Sequence, residues 1–295
     1  MADQFDVIEA GERGRRRWVG LVVVLALLLI PVVGLLASRE PEPGPETAVA
    51  SRTPGAIRSL TTLDSAPNML TVPARKKGGD EVIQVVFPDG ARAEVRYPAE
   101  LGLAEMGSRP FRAGWVDGMF RQFVAPYGGE VEITRGGRPL RSYGPNVTLW
   151  PRQAGSGLYG QVLLFAFGPW RVAMYDRGQG LTFEQRTALA GDLRGRVTKE
   201  GYLVLTGRGG VRLAEAGEYA QGEPIGPQLW FGGGVGEMVA LVPTPDCEKQ
   251  ARMPGTIEGR GRRGEMVCRG DVLVAATGPA SFRRQAMSGI RVTMK

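Results

Sequence analysis

The chain has 295 residues, with 37 Lys and Arg against 30 Asp and Glu and a net charge of +7. This length predicts one or two domains, and an apolar content of 43% excludes a wholly disordered chain. The sequence contains no His, which excludes Ser-His-Asp and Cys-His catalysis and most zinc sites, because these sites use imidazole. We expect no metal and no cofactor, since the chain also lacks a phosphate-binding loop of the G-x-x-x-x-G-K-[ST] type.

The segment Trp18–Ala37 predicts a transmembrane helix. It contains 20 residues and no charge. A helix of this length spans about 30 Å, which is the thickness of the hydrocarbon core of a bilayer. A soluble helix would carry a polar stripe, and no face of this segment is polar. The lipid bilayer is therefore the first expected partner, bound through residues 18–37.

The residues on either side of this segment predict its orientation. Four basic residues precede it directly: Arg13, Arg15, Arg16 and Arg17. Acidic residues, among them Glu40 and Glu42, follow it. The positive-inside rule then places residues 1–17 in the cytoplasm as a short tail, and the C-terminal bulk outside the cell membrane.

A cleaved signal peptide is the alternative interpretation of the N-terminus. The apolar run is longer than the roughly 7–15 residues usual for a signal peptide. The only Ala-x-Ala sequence, Ala48–Ala50, lies well beyond the end of the run. Both observations favour a signal-anchor that stays attached, and thus a single-pass protein.

Residues 38–80 predict a tether and residues 81–295 a domain. The first part of the tether is Pro-rich and acidic and has no apolar periodicity, so we expect it to be extended and partly disordered. Ile57–Leu70 is more apolar, and a first strand or a segment that folds onto the domain is the alternative there. The domain begins with an apolar, β-branched run, Val82–Phe87. The turn tripeptide Pro88–Gly90 and the alternating segment Ala91–Tyr97 follow, which predicts a β-hairpin.

The rest of the domain predicts an α+β fold with antiparallel hairpins and one central helix. Glu130–Thr134 and Arg138–Tyr143 flank a Gly pair and predict a second hairpin. Leu181–Val197 has apolar residues near helical spacing, and Thr182 is its expected N-cap. Six further strands are expected: Leu158–Phe167, Arg171–Tyr175, Tyr202–Thr206, Gln228–Phe231, Met238–Val242 and Val272–Ala276.

Cys247 and Cys268 are the two cysteines of the chain. Both fall on the predicted outer side of the membrane, where an oxidising environment favours one disulfide. A redox pair is the alternative, but nothing in the sequence predicts the activating environment that such a pair needs.

The positive charge is concentrated at the C-terminus. Between Lys249 and Lys295 ten basic residues face three acidic ones, a surplus equal to the net charge of the whole chain. Five of them are candidates for an anion-binding patch: Arg260, Arg262, Arg263, Arg283 and Arg284. Outside a bacterial membrane the partner of such a patch would be an anionic wall polymer or lipid headgroups. Nucleic acid is not expected on that side. The sequence favours the alternative, in which these residues form a merely solvated Arg-rich face.

Paired carboxylates form a catalytic arrangement that needs no His. Glycoside hydrolysis uses two carboxyl groups about 5–10 Å apart. Asp117 is the first candidate, with Glu130 or Asp176 as its partner. Trp115 and Trp150 would supply a surface on which sugars stack. The sequence favours the alternative, in which these carboxylates belong to turns beside core aromatics.

Three functions follow from these observations. The preferred one is a non-enzymatic domain that is anchored in the membrane and binds an envelope protein or wall polymer at the bacterial cell envelope. The second is an anchored glycan hydrolase that uses paired carboxylates. The third is an accessory subunit of a membrane complex, with its contacts made by the tail or the anchor.

Overall fold

A large antiparallel β-sheet organises the residues that the structure describes. The structure is a computed structural model, and it describes residues 68–152, 160–234, 236–259, 261 and 263–295. All of them belong to one compact unit of the chain. The predicted tail, the membrane span and most of the tether lie outside the described residues, as do Arg13, Arg15, Arg16 and Arg17. Among the described residues no helix is both long and apolar enough to cross a bilayer.

Strands form most of the regular structure. The described residues contain these: β1 (Arg75–Lys77), β2 (Asp80–Val86), β3 (Arg92–Pro98), β4 (Ser108–Val116), β5 (Met119–Val124), β6 (Arg141–Gly144), β7 (Val147–Trp150), β8 (Val162–Phe167), β9 (Trp170–Tyr175), β10 (Arg194–Val197), β11 (Leu203–Thr206), β12 (Val211–Leu213), β13 (Tyr219–Ala220), β14 (Glu223–Pro224), β15 (Gln228–Gly232), β16 (Met238–Pro243), β17 (Gly264–Arg269), β18 (Val272–Thr277) and β19 (Arg291–Met294).

Helices in the described residues are few and mostly short. They are α1 (Leu103–Met106), α2 (Gly129–Thr134), α3 (Phe183–Asp192), α4 (Cys247–Gln250), α5 (Gly255–Glu258) and α6 (Ala280–Gly289), with a 3₁₀ turn at Ala99–Leu101. A β-rich domain with a few helices is what the sequence predicts. The sequence predicts one central helix, but the described residues contain two helices of ten residues each, α3 and α6.

The strands assemble into one large and several small sheets. The large sheet has the order β17-β18-β16-β15-β4-β5-β9-β8-β7-β6, and β12 also pairs with β4. A four-stranded sheet has the order β1-β2-β3-β19, and β10-β11 and β13-β14 form two-stranded sheets. Every strand pairing in the described residues is antiparallel.

The first predicted hairpin is confirmed. Strands β2 and β3 pair with Ile83 opposite Val95. The connecting turn closes where the Ala91 amide donates to Asp89 Oδ1 at 3.0 Å, and Gly90 adopts a φ of 98°. Strand β1 pairs with β2, so ordered pairing begins before residue 81, the expected start of the domain.

The second predicted hairpin is wrong in its first arm. Residues 129–134 form helix α2, and the second arm contributes β6, which pairs with β7. Glu132 Oε2 accepts the amide of Gly128 at 2.8 Å, which satisfies a donor that a helix start leaves open. Arg135 ends the helix in the left-handed region. This local bonding outweighs the alternation of apolar residues that suggested a strand.

Helix α3 occupies the centre of the predicted helix and ends earlier. Thr182 is its N-cap as predicted, and Gln185 completes a capping box. The chain turns extended at Leu193, and residues 194–197 form β10. Gly195 lies directly on the Phe167 ring, where a Cβ would come within 2.3 Å of the side chain. Packing against that ring explains why the end of the predicted helix is a strand.

Pairing register divides the side chains of the large sheet between two faces. Phe111 on β4 lies opposite Val124 on β5 and opposite Gln228 on β15. Directly opposed residues share a face, and neighbours along a strand alternate. We call the face that carries these three residues the front face. The back face carries the alternate residues, such as Phe123.

The back face is covered at both ends. At one end it packs against the four-stranded sheet and α6, and Ile83 and Phe282 share a core with Phe231 of β15. At the other end α3 and the β10-β11 pair cover it, and Leu189 shares a second core with Phe123. The hydrophobic cores of the domain therefore lie mainly behind the large sheet.

The front face is covered at its ends and open between them. Helix α2 covers one end, where Ile133 packs on Trp150 and its neighbours. Helices α4 and α5 cover the other end, where Ile257 packs in a core with Trp230. The predicted disulfide is confirmed: Cys247 of α4 is bonded to Cys268 of β17, with 5.8 Å between their Cα atoms. The bond attaches the α4–α5 cover to the sheet.

Candidate ligand-binding groove

A groove of about 460 Å³ occupies the open part of the front face. Its floor consists of side chains from β4, β5, β9 and β15. They are Phe111, Gln122, Val124, Tyr175, Gln228 and Trp230. All six share the front face, because their strands pair in register and Tyr175 lies two residues beyond Ala173, the partner of Val124.

The two covers of the sheet form the walls of the groove. Glu132 belongs to α2, the cover at one end of the front face. Across the groove stand β14 and the start of α5, which contribute Glu223, Pro224, Pro254, Gly255 and Thr256. The disulfide bonds α4, the helix that directly precedes the α5 part of this wall, to β17. The groove is thus a gap between two separately attached covers on one continuous sheet.

Packing and hydrogen bonds hold the floor of the groove in place. Phe111 and Trp230 stack with their ring centroids 4.7 Å apart. The indole Nε1 of Trp230 donates to Gln228 Oε1 at 2.8 Å, and Gln228 Nε2 donates to the Pro224 carbonyl at 2.7 Å. These bonds connect the floor to the β14 wall. Such a floor is preorganised, so a ligand would lose little binding free energy to ordering it.

The two wall carboxylates differ in their surroundings. Glu132 Oε2 accepts the Gly128 amide at the start of α2. The carboxylate of Glu223 lies against Gly255, where an added Cβ would come within 2.3 Å of its oxygens, so a larger residue at position 255 would displace the Glu223 side chain.

A neighbouring depression of about 450 Å³ extends the groove toward the β4-β5 turn. The two cavities share Gln122, Tyr175 and Arg177. The extension adds Phe120 and two further amide side chains, Gln179 and Gln221, to the lining. A long groove of this kind suits a segment of an extended chain better than a compact small molecule.

The lining combines amide, aromatic and a few charged groups. The amides of Gln122, Gln179 and Gln221 present donors and an acceptor, which match hydroxyl and amide groups of a ligand. The Gln228 amide is instead bonded to Trp230 and Pro224. An apolar floor with a few placed polar groups is typical of ligand sites. The charged lining residues are of both signs, because Glu132 and Glu223 face a groove that also holds Arg177. This chemistry suits a largely uncharged polymer that carries hydroxyl or amide groups.

Asp117, the first predicted catalytic carboxylate, lies in the β4-β5 turn and outside the groove lining. Its backbone has a φ of 48°, and its amide donates to the Gly210 carbonyl at 2.9 Å. Its carboxylate lies against Gly210, where an added Cβ would come within 2.2 Å of Oδ1. These contacts are those of a turn residue.

Its two candidate partners have other bonds. Glu130 is exposed and accepts from Arg171 Nε at 2.8 Å. Asp176 is buried and pairs with Arg121 at 3.1 Å and Arg186 at 2.8 Å. Burial alone would lower the pKa of Arg186, but its hydrogen bond to Asp176 raises that pKa above its ordinary value. Neither carboxylate lines the groove or its extension.

The two tryptophans proposed to stack on sugars have other neighbours. Trp150 is buried in the core under α2. The ring of Trp115 is covered by the guanidinium of Arg212 at 3.7 Å. Neither belongs to the groove lining.

The predicted C-terminal patch is partly paired. Arg283 Nε donates to Glu265 at 2.9 Å, and its side chain is only 11% exposed. Arg263 and Arg284 are exposed, and Arg260 and Arg262 lie outside the described residues. Arg283 is therefore less available to an external anion than the sequence suggests.

Sequence reasoning missed the groove residues themselves. Gln122, Gln228, Glu132 and Glu223 are ordinary polar residues in the sequence, and only strand pairing brings them to one surface. Gln122 lies between Arg121 and Phe123, whose side chains are buried on the back face. Because side chains alternate along a strand, this position is the one local indication that Gln122 lies on the front face.

In the described residues no group of three or more Cys, Asp or Glu is arranged to hold a metal ion. Comparison with known proteins gives no further guide: no protein family, no curated protein and no solved structure matches this chain.

Proposed function

We propose that this protein is a membrane-anchored binding domain of the bacterial cell envelope. Its groove on the front face binds a segment of an envelope polymer that carries hydroxyl or amide groups, and it does so without chemical turnover. The observation that carries the proposal is the groove itself, with its preorganised floor and its lining of Gln and aromatic side chains.

Two features support a place outside the cell membrane. The apolar run of residues 18–37 follows a basic cluster and precedes an acidic segment, which favours an external C-terminal domain. The disulfide between Cys247 and Cys268 is typical of oxidising compartments. The part of the predicted tether that precedes residue 68, where the described domain begins, would then let the domain reach polymer beyond the headgroups.

Cosedimentation of the full-length chain with purified, protein-free wall polymer tests the proposal. We expect binding that Gln122→Ala weakens about five- to tenfold, as the loss of one to two polar contacts implies. Gln285→Ala is the matched control, because Gln285 lies on α6, away from the groove, and bonds to Glu100. Equal binding by all three proteins would contradict a role for the groove.

Glycan hydrolysis is a second candidate, and one observation favours it. Glu132 and Glu223 both line the groove, so two carboxylates face the same cavity, as in enzymes of this class. Incubation of the same polymer with the protein, followed by measurement of released soluble fragments, tests it. Release that Glu132→Gln or Glu223→Gln abolishes would replace the binding function by an enzymatic one, whereas binding without release supports the first proposal.

A further inference from the structure

A buried arginine lies behind the large sheet, and none of the described carboxylates pairs with it. Arg112 of β4 is only 8% exposed. Its Nε donates to the Ala214 carbonyl at 3.0 Å, and its Nη1 donates to Leu205 at 2.8 Å and Pro88 at 3.4 Å. All three acceptors are backbone carbonyls, so they orient the guanidinium but do not neutralise it.

The positive charge of Arg112 is incompletely compensated. No carboxylate in the described residues forms an ion pair with it, and its Nη2 donates no hydrogen bond to them. Burial lowers the pKa of Arg112, and the more distant Asp89, Glu215 and Glu218 only oppose that shift. A buried cation is costly until an anion accompanies it.

Arg112 forms the floor of an open depression of about 540 Å³. Two more arginines line it, together with the glycine-rich segment 207–209. Arg212 is held by Glu218 at 2.8 Å and by the ring of Trp115. Arg208 is exposed, and its side chain forms no ion pair within the described residues. The Arg212 side chain shares the front face with Trp115, its partner in the strand pairing, so among the described residues Arg112 and Arg208 are the two whose guanidinium groups have donors to spare at the depression.

The loop that carries Arg208 depends on glycine. A Cβ at residue 207 would come within 2.3 Å of the Val211 carbonyl, and the Val211 amide donates to the Arg208 carbonyl at 2.8 Å. This tight turn keeps Arg208 at the rim of the depression. Asp89 is the one acidic residue in the lining, and its Oδ1 accepts the amide of Ala91.

We propose that this depression is an anion site that binds a phosphate group between Arg112 and Arg208. The planar guanidinium presents paired donors that match phosphate oxygens. A phosphate has enough oxygens and charge to satisfy both guanidinium groups at once, whereas a carboxylate has one negative charge for two cations. The site lies on the back of the sheet, so it is independent of the groove and of the function proposed for it.

Calorimetric titration of the full-length chain in mild detergent with sodium phosphate, at constant ionic strength, tests this site. Arg208→Gln should weaken phosphate binding about tenfold, the change expected from one charge-assisted hydrogen bond. Asp89→Asn should tighten binding severalfold, because it removes the opposing charge and keeps an oxygen for the Ala91 amide. Arg138→Gln, an exposed arginine elsewhere, is the matched control and should bind phosphate like the native chain.

A parallel titration with glycerol phosphate separates two sources of the group. Tighter binding of inorganic phosphate would assign the site to the free ion, and tighter binding of the ester would assign it to an esterified phosphate. Either result supports the proposal. Phosphate binding that neither Arg208→Gln nor Asp89→Asn changes, acetate binding as tight as phosphate binding, or no binding at all would overturn it.

Discussion

At the scale of single residues, the predicted catalytic carboxylates differ most in their burial. The side chain of Asp176 is 1% exposed, and besides its two arginines it accepts the amide of Leu181 at 2.9 Å. Glu130 has a side chain 49% exposed and a single arginine partner. The first is a structural ion cluster that connects β5, β9 and α3, and the second is a surface pair. Their sequence contexts do not reveal this difference.

Asp176→Asn should lower the free energy of unfolding by about 3 kcal/mol, because it leaves buried arginine charge without its carboxylate. Urea denaturation followed by tryptophan fluorescence measures this change. Glu130→Gln is the matched control, and a surface pair of its kind contributes about 0–1 kcal/mol. Similar losses in the two variants would contradict the structural role given to Asp176.

At the scale of elements, the start of α3 depends on a reciprocal pair of bonds. The backbone amide of Gln185 donates to the side-chain Oγ1 of Thr182 at 3.3 Å, and the backbone amide of Thr182 donates to the side-chain Oε1 of Gln185 at 2.9 Å. Thr182→Ala should therefore cost about 1 kcal/mol of stability, the usual value of an N-cap.

Thr187→Ala is a suitable comparison on the same helix. Thr187 Oγ1 donates back to the Phe183 carbonyl within the helix, a bond that contributes little, and alanine favours the helical state. Thermal denaturation should show a lower Tm for Thr182→Ala and an unchanged or higher Tm for Thr187→Ala. An unchanged Tm for Thr182→Ala would contradict a contribution of the cap to stability.

The α4–α5 cover is the element that the disulfide attaches. Its two helices have four residues each and could not stay ordered on propensity alone. Replacing both Cys247 and Cys268 by Ser should lower the free energy of unfolding by about 3 kcal/mol, the value for a loop of this size.

The same replacement should also weaken ligand binding, since this cover forms one wall of the groove. Denaturation and cosedimentation of the double variant measure the two effects separately. Reduction of the disulfide in the native protein is an independent test, and it should cause the same loss of stability and the same loss of ligand binding. Unchanged stability and unchanged binding would show that the cover is held without the disulfide.

At the scale of the whole molecule, the sequence predicts local structure and misses what strand pairing creates. The hairpin around Asp89 and the cap at Thr182 are confirmed because neighbouring residues determine them. Helix α2 was missed because its start depends on a side-chain bond between Glu132 and Gly128. The groove could not be predicted, because β4 and β15 meet there although more than a hundred residues separate Phe111 from Gln228. The carboxylates chosen as catalytic candidates by residue type alone, Asp117, Glu130 and Asp176, lie outside the lining of the groove.

The central claim is that wall polymer binds in the groove on the front face. The most direct test is whether a bulky side chain that fills this groove abolishes polymer binding. The measurement is the affinity of the full-length chain for solubilised wall glycan, compared between the native protein and Gln122→Trp, which would fill the floor that both cavities share. We predict that Gln122→Trp loses binding at least tenfold and keeps the native Tm, and that Gln285→Trp on α6 changes neither. Undiminished binding by a folded Gln122→Trp protein would contradict the account.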